Sequence, residues 1–511
     1  MKNNLTFKQL IKKLKRKAIK IIYSILGRIR SNLLNKRLKM EQTNKITNLI
    51  NNLSYDKTSA ISIFEYSKGL LGRSLREFIK EDYSPKKGKG SIGQMVENLY
   101  FLLETNNNPE ADFSSAGMEL KCTPVKLGKN DTYLIKERLV CNMINYCEVV
   151  KEDFEQSHFY LKCQLMLLLF YLYKKNCDNL DLQFIFSVLW KLPEKDLLII
   201  KHDYETILEK IKCGKAHLLS EGDTMYLGAC RKGQKGDSLM KQPFSEEGAP
   251  RRAFSLKMSY MRTILQYVTD SGKKAVSNFK FPAEQIVSEK ELDKHNFEEI
   301  ILNRFKPYLG KNYQVIAKGK KIDISNNPKN KFAIIANAIA AAGKCANVNR
   351  SEEFMKAGLT MKTIRVQHNG NIKEAMSFEN IDYMEVAECN NWYESRLYEL
   401  FSSRFMFVIF KEQTANKEDY ILDNVFFWTM PPEDLEWAET YWMHIRKNVL
   451  GDHISEEYWW KGQDKKKFHV RPKAQKSTDL APTPSGKSAK KFCYWFNNDY
   501  VKQIVNNNGS K

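Results

Sequence analysis

The hydrophobic pattern of this chain falls into three kinds of run, and each predicts a different element. Leu165 to Tyr173 is wholly apolar and stops at Lys174 and Lys175. That length suits a central strand buried on both faces, and it is far short of the roughly 18 apolar residues a membrane span needs. After Gly117 the pattern alternates instead: Glu119, Lys121 and Thr123 take one face of a short strand, and Met118, Leu120 and Cys122 the other. Pro124 lacks a backbone donor and is expected to cut this strand off. Between Ile92 and Leu103 the period becomes helical, with Ile92, Val96, Leu99 and Leu103 as the apolar stripe, Ser91 as the cap and Glu97 at the stripe's margin.

The pattern then recurs. Asp112 to Val125 aligns without gaps on Glu353 to Val366, an offset of about 240 residues. At nearly the same offset, the buried strand around Phe170 matches Phe405 to Phe410, and Arg231 with Lys232 matches Arg471 to Lys473. A repeated constant offset predicts two copies of one domain in tandem. The expected organisation is a basic extension over 1–40, one domain over 41–275 and a second over 280–505. Each domain is expected to be α/β, a mixed central sheet flanked by helices.

Composition changes this picture in two places. The 511 residues are 42% hydrophobic, enough for real cores, and the net charge of +22 favours a polyanionic partner, nucleic acid or an anionic membrane surface. Residues 1–40 hold thirteen Lys and Arg and no acid, so the remainder is only moderately basic. This leading segment reads as a basic amphipathic helix with Leu10, Ile11, Leu14, Ile21, Ile22 and Ile25 as its apolar residues. Three readings compete for it: a DNA-contacting or membrane-surface extension, a signal sequence broken by Lys20, or upstream frame before a true start at Met40, which is preferred. The ten cysteines include no Cys-x-x-Cys pair and no histidine cluster of zinc spacing. Reduced thiols and a cytoplasmic protein with no membrane partner are therefore expected.

Candidate chemistry gathers on the alternating strand. Glu119 and Lys121 stand side by side, and Asp112 can approach from the flank to complete an oxygen-ligand pocket for a hard divalent cation such as Mg2+. Such an array arises often by chance, so its weight comes from its neighbours. Lys89 to Glu97, the array itself and a basic residue entering the buried strand at Lys162 follow one another in order. Together they resemble the MutH family, which comprises the mismatch-repair endonuclease and the related type II restriction endonucleases that cut GATC. The resemblance implies the restriction-endonuclease-like fold of the PD-(D/E)xK group. It places Asp112, Glu119 and Lys121 on the family's catalytic Asp, Glu and Lys, Glu97 on its additional helix carboxylate, and Lys162 on a further active-site lysine. Asp112, Glu119 and Glu97 would then hold the Mg2+.

In the second copy Glu353, Thr360 and Lys362 fall on the triad and Ser402 falls on Lys162. A threonine hydroxyl is a poor neutral ligand for magnesium, so this centre is expected to be degenerate and its domain a DNA-binding effector. Glu352 is the alternative carboxylate there. Phe468 to Ala474 looks like the segment with which MutH-like proteins approach GATC, and Arg471 and Lys473 at alternate strand positions project to one side. Arg231 and Lys232 are their first-copy counterparts, in a register uncertain by one residue. Lys89 belongs to a basic loop before a helix N-terminus, which suits phosphates. The resemblance implies a Mg2+-dependent restriction endonuclease that cuts both strands of double-stranded DNA at GATC and leaves 5′-phosphates. It also implies a companion GATC methyltransferase, and one centre per chain with a degenerate second copy leads to the expectation of a DNA-induced homodimer. The alternatives are a MutH-type nicking enzyme of repair and a non-catalytic GATC-binding regulator.

Overall fold

A computed structural model describes residues 55–79, 92–103, 110–128, 131–233, 236–270, 283–372, 375–415, 419–473 and 479–508. The basic extension 1–40, Lys89 with its loop, and the Ser91 cap lie outside the described residues. In the first copy helix α1 (Ile92–Leu99) is followed by strands β1 (Glu119–Leu127), β2 (Tyr133–Ile135) and β3 (Leu139–Met143). Helix α2 (His158–Cys163), strands β4 (Leu165–Leu172) and β5 (Phe184–Lys191) and helix α3 (Glu194–Lys212) come next. Strands β6 (Leu227–Arg231) and β7 (Arg252–Leu256) and helix α4 (Met258–Asp270) complete it.

The apolar run is the central strand it was expected to be. Met166 to Phe170 of β4 are fully buried, with β1 parallel on one side and β5 antiparallel on the other, in the order β2-β1-β4-β5. A smaller antiparallel sheet, β3-β7-β6, packs beside it. Two local expectations need correction. Strand β1 runs through Pro124 to Leu127. The Pro124 carbonyl accepts from Lys136 N on the β2 side, so the proline's missing N–H also faces that side, and the ladder to β4 loses nothing there. Helix α1 ends at Leu99, and Leu103 lies beyond a turn in which Leu102 has a φ of 51°. The buried part of the stripe is therefore Ile92 and Val96.

The second copy repeats this plan. It contains helices α5 (Lys331–Ala340) and α6 (Glu352–Ala357), strands β8 (Thr360–Val366) and β9 (Met376–Asn380), and helix α7 (Arg396–Ser402). Strands β10 (Arg404–Glu412) and β11 (Tyr420–Thr429), helix α8 (Pro432–Leu450), strands β12 (Phe468–Pro472) and β13 (Phe492–Phe496) and helix α9 (Asn498–Asn507) follow. The sheets β8-β10-β11 and β9-β13-β12 reproduce the strand directions of the first copy. Helices α3 and α8 are both 19 residues long.

Strand pairing also sets the offset more finely than alignment does. The register shifts after Phe170 in one copy and after Ile409 in the other, so Ile409, not Phe410, is the counterpart of Phe170. A one-residue slip matters because it exchanges the two faces of a strand. Likewise Leu227 pairs with Leu256 and Phe468 with Phe496, and Lys232 N and Lys473 N each bond the carbonyl of the residue immediately before the partner strand, Arg251 O and Lys491 O. Lys232 therefore matches Lys473, but Arg231 matches Pro472, and Arg471 matches the buried Cys230.

The main core is continuous between the copies, joining Phe159, Phe170 and Tyr204 of the first to Phe297, Phe332 and Phe354 of the second. A separate cluster around Phe378, Phe401 and Phe496 fills the rest of the second copy, and another lies between α1 and the first sheet. Among the described residues no helix is long and apolar enough to cross a membrane.

Candidate active site

Strand β1 leaves Gly117 in a left-handed turn, φ 59°, that closes on itself: Phe113 N bonds Met118 O at 3.0 Å and Met118 N bonds Phe113 O at 3.2 Å. The closure returns Asp112 to the start of the strand. Its Oδ2 accepts from Leu120 N at 2.9 Å, and its own N donates to Glu119 Oε2 at 3.3 Å. Glu119, only 2% exposed, receives two ammonium groups: Lys121 Nζ at 2.7 Å, and Lys162 Nζ at 3.2 and 3.4 Å from its two oxygens. Lys121 also donates to Cys141 O of β3 at 3.3 Å. Lys162 is not at the mouth of a strand, as its position beside an apolar run suggested, but in the last turn of α2. It reaches the site because α2 leads directly into β4, where Met166 stands opposite Glu119.

Glu97 joins from α1. Burial, reinforced by repulsion from Asp112 and Glu119, pushes its carboxyl up to about 7. Asp112 is also raised, by burial first and Glu119 second. Burial opposes the charge on Lys121, but the adjacent Glu119 outweighs it and holds the ammonium well above its usual range. The site is thus an oxygen-rich cluster short of positive charge, beside a cavity of about 390 Å³ lined by Gly93, Glu97, Lys121, Cys122, Glu137 and Tyr171. Among the described residues no three Asp, Glu, His or Cys side chains form a ready ligand cage. The donor set still fits Mg2+, which binds one or two carboxylates and completes its shell with water and phosphate. Asp112 and Glu119 are the pair that could hold it, with Glu97 alongside.

Two segments of the chain, residues 101–203 and 343–439, match the family described as DNA mismatch repair enzyme MutH. The chain is 31% identical over 495 residues to the type II restriction enzyme Sau3AI of Staphylococcus aureus, covering 87% of this chain and 98% of that enzyme. The chain belongs to the MutH-like restriction enzymes. It is also similar to the DNA mismatch repair protein MutH of Buchnera aphidicola, at 24% identity over 163 residues, 31% of this chain and 73% of that protein. The MutH of Shewanella woodyi is 28% identical over 187 residues, 35% of this chain and 77% of that protein. The MutH proteins thus cover about a third of this chain, whereas Sau3AI is similar through both copies. The fold is accordingly the restriction-endonuclease-like one, twice over, and the chain is a MutH-like nuclease.

In the second MutH-like copy the same frame carries different side chains. Thr360 begins β8 as Glu119 begins β1, opposite Phe405 as Glu119 is opposite Met166. Lys362 donates to Ser377 O of β9 at 3.0 Å, repeating the Lys121 bond to β3. The place of Asp112, however, is taken by Asn349, whose Oδ1 accepts from Met361 N at 2.7 Å just as Asp112 accepts from Leu120 N. Glu353, the alignment's counterpart of Asp112, is fully buried elsewhere. It takes Lys195 Nζ at 2.5 Å and the amides of Ile286 and Val287 at 3.1 Å. The reason is local: six helical residues of α6 stand where the first copy has the three-residue turn Ser114–Ala116, which displaces everything before Gly358. Glu352 is also unavailable as a replacement, since it bonds Lys356 Nζ at 2.6 Å. Counted back from the paired strands, Phe401 and not Ser402 stands at the Lys162 position, and it packs on Phe378 and Phe496.

The DNA-facing candidates are distributed unevenly. Arg231 ends β6, two strands from β3, with its guanidinium 5.3 Å from the ring centre of Tyr393 in the second copy. Arg471 is exposed and lies 5.3 Å from the ring of Trp495, and Lys473 just beyond β12 donates to Phe378 O at 2.7 Å. Sequence reasoning missed Asn349 and Phe401. The signal for Asn349 is the length of the helical turn before Gly358, which no gapless alignment registers, and the signal for Phe401 is the pairing of β8 with β10, which moves the offset by one residue.

Proposed function

We propose that this chain is a Mg2+-dependent restriction endonuclease that hydrolyses both strands of double-stranded DNA at GATC, with its chemistry confined to the first copy. The observation that carries this is Glu119, a buried carboxylate held under two ammonium groups with Asp112 and Glu97 beside it. On this reading residues 41–275 are the catalytic domain and 280–505 an effector domain that binds a further GATC site. Asp112 and Glu119, with Glu97 alongside, would hold the Mg2+, which would supply Lewis acidity to the phosphoryl group and the attacking water. Lys121, anchored between Glu119 and Cys141 O, orients the attacking water in line with the 3′ leaving oxygen, which leaves a 5′-phosphate and a 3′-hydroxyl. Lys162 faces the charge that develops on the phosphoryl oxygens. Glu97, close to half-protonated at neutral pH, can hold or release a proton at the edge of the cavity.

GATC specificity is supported by the resemblance of Phe468–Lys473 to the family's DNA-approaching segment, and arginine is the best bidentate reader of guanine. One centre per chain cuts one strand at a time, so a double-strand break calls for a second chain assembled on DNA. A companion GATC methyltransferase would protect the cytoplasmic host DNA. The test is digestion of a plasmid carrying several unmethylated GATC sites with Mg2+, comparing wild type and Glu119→Ala. Discrete GATC-bounded fragments from the wild type alone are expected. Nicked circles only would point to the repair-type enzyme, and binding without cutting to a regulator.

A further inference from the structure

The first and second centres differ by more than one ligand. A second cavity, of about 330 Å³, lies against β8 as the first lies against β1, with Met361 and Thr363 in the places of Leu120 and Cys122. Its lining includes Asn330, Asn337, Asn347 and Asn349 and contains no carboxylate. Asn337 comes from α5, the helix that packs on β8 as α1 packs on β1. The Glu97, Asp112 and Glu119 trio therefore finds Asn337, Asn349 and Thr360 in its place, three neutral groups for three acids. The conserved geometry keeps one ammonium, Lys362, with Lys473 close enough to depress its basicity after burial has done so.

Electrostatics gives this exchange a direction. In the first centre a DNA phosphate meets Asp112, Glu119 and Glu97, whose charge Lys121 and Lys162 only partly offset, so a divalent cation favours its approach, since like charges a few ångströms apart repel strongly away from bulk water. The second centre has no such repulsion. Asn337 and Asn349 each spend one side-chain N–H on a backbone carbonyl, Ala333 O and Met361 O, and an amide carries two. The remaining N–H groups line the cavity as donors with no carboxylate among them, while Thr360 and Lys362, alternating with Met361 and Thr363, stand on the other face of β8 and add a hydroxyl and an ammonium behind the strand, a setting that suits an anion. The same donor set is unfit for Mg2+, which needs anionic oxygen.

We propose that the second copy holds a phosphodiester of duplex DNA in this asparagine-lined cavity without any divalent cation, and so retains DNA it cannot cut. The inference rests on the reading of this copy as a DNA-binding effector and adds how its degenerate centre engages the backbone. The exchange of acids for amides converts a metal-requiring site into one that binds DNA under metal-free conditions.

The test is fluorescence anisotropy of a labelled GATC duplex with the full chain, in EDTA and in Ca2+, with uncut duplex verified on a gel. Wild type is expected to bind in EDTA. Asn349→Asp with Thr360→Glu restores the first-copy acids and is expected to weaken binding in EDTA by tenfold or more and to regain it with Ca2+. Thr360→Glu alone, at a strand position where the first copy already carries Glu, is expected to show a smaller loss in the same direction. Loss of wild-type binding in EDTA overturns the proposal, and so does EDTA-resistant binding that the double variant leaves unchanged. Arg471→Ala with Lys473→Ala separates the two readings. If those substitutions weaken binding in Ca2+ while EDTA abolishes wild-type binding, the second copy binds DNA but not in this way. If they change nothing in either condition, the effector reading itself fails.

Discussion

Replacing Glu97 by glutamine isolates the central electrostatic claim about the first centre. The carboxyl is pushed from its ordinary 4.5 up to about 7 by burial and then by Asp112 and Glu119, so the folded protein prefers it protonated. Below pH 4.5 the group is neutral in folded and unfolded chains alike and costs nothing. As pH rises toward 7 the unfolded chain ionises first, and above 7 the folded protein carries the full penalty of a charge it disfavours. The full shift would correspond to roughly 3 kcal/mol, but Glu97 is only half-buried, and solvent screening reduces this to about 1–2 kcal/mol. Glu97→Gln, which keeps the shape and removes the charge, is expected to stabilise the protein by that amount at pH 8 and by almost nothing at pH 4. Urea denaturation of both proteins across this range measures it. Mg2+ should stabilise the wild type more than the variant, because the cation relieves the repulsion that the variant no longer has. Equal stabilities at pH 8 would refute the picture of three carboxylates crowding one another, and with it the rationale for a cation there.

Lys162→Met removes one of the two ammonium groups on Glu119 and is expected to lower the cleavage rate on the order of 10²–10³-fold, read as single-turnover cutting; unchanged cutting with lowered stability would make Lys162 purely structural. Lys356, buried and bonded to Asp196 at 2.7 Å and Glu352 at 2.6 Å, ties the second copy to α3 of the first. Lys356→Met strands two buried carboxylates and should cost about 3–5 kcal/mol in urea denaturation, with a loss under about 1 kcal/mol counting against the network. Arg262→Leu cuts a second link between the copies, its paired bonds of 2.5 and 2.6 Å to Glu399, and should lower the thermal midpoint without altering the pH profile of cutting.

Much of the geometry of the candidate centre could be read along the chain because its signals are local. The alternation from Met118 to Thr123 put Glu119 and Lys121 on one face, and the wholly apolar run from Leu165 announced the strand that supports them. The turn at Gly117 brings Asp112 back by short-range bonds, so that proximity too lies within one stretch of sequence. The duplication was equally legible, since a repeated period needs no third dimension to be seen. Other features depended on how distant segments meet. Pro124 breaks nothing because its donorless side faces away from β4, and that is a property of strand order. Lys162 reaches Glu119 across the parallel pairing of β1 and β4, although they are 43 residues apart. Glu353 looked like a ligand because a gapless alignment cannot register a longer helical turn; the fold spends it instead on Lys195, 158 residues away, and leaves Asn349 in the ligand's place. Periodicity along the chain dictates which face a side chain takes, whereas the partner it meets there is set by register and packing between elements that the one-dimensional pattern does not contain.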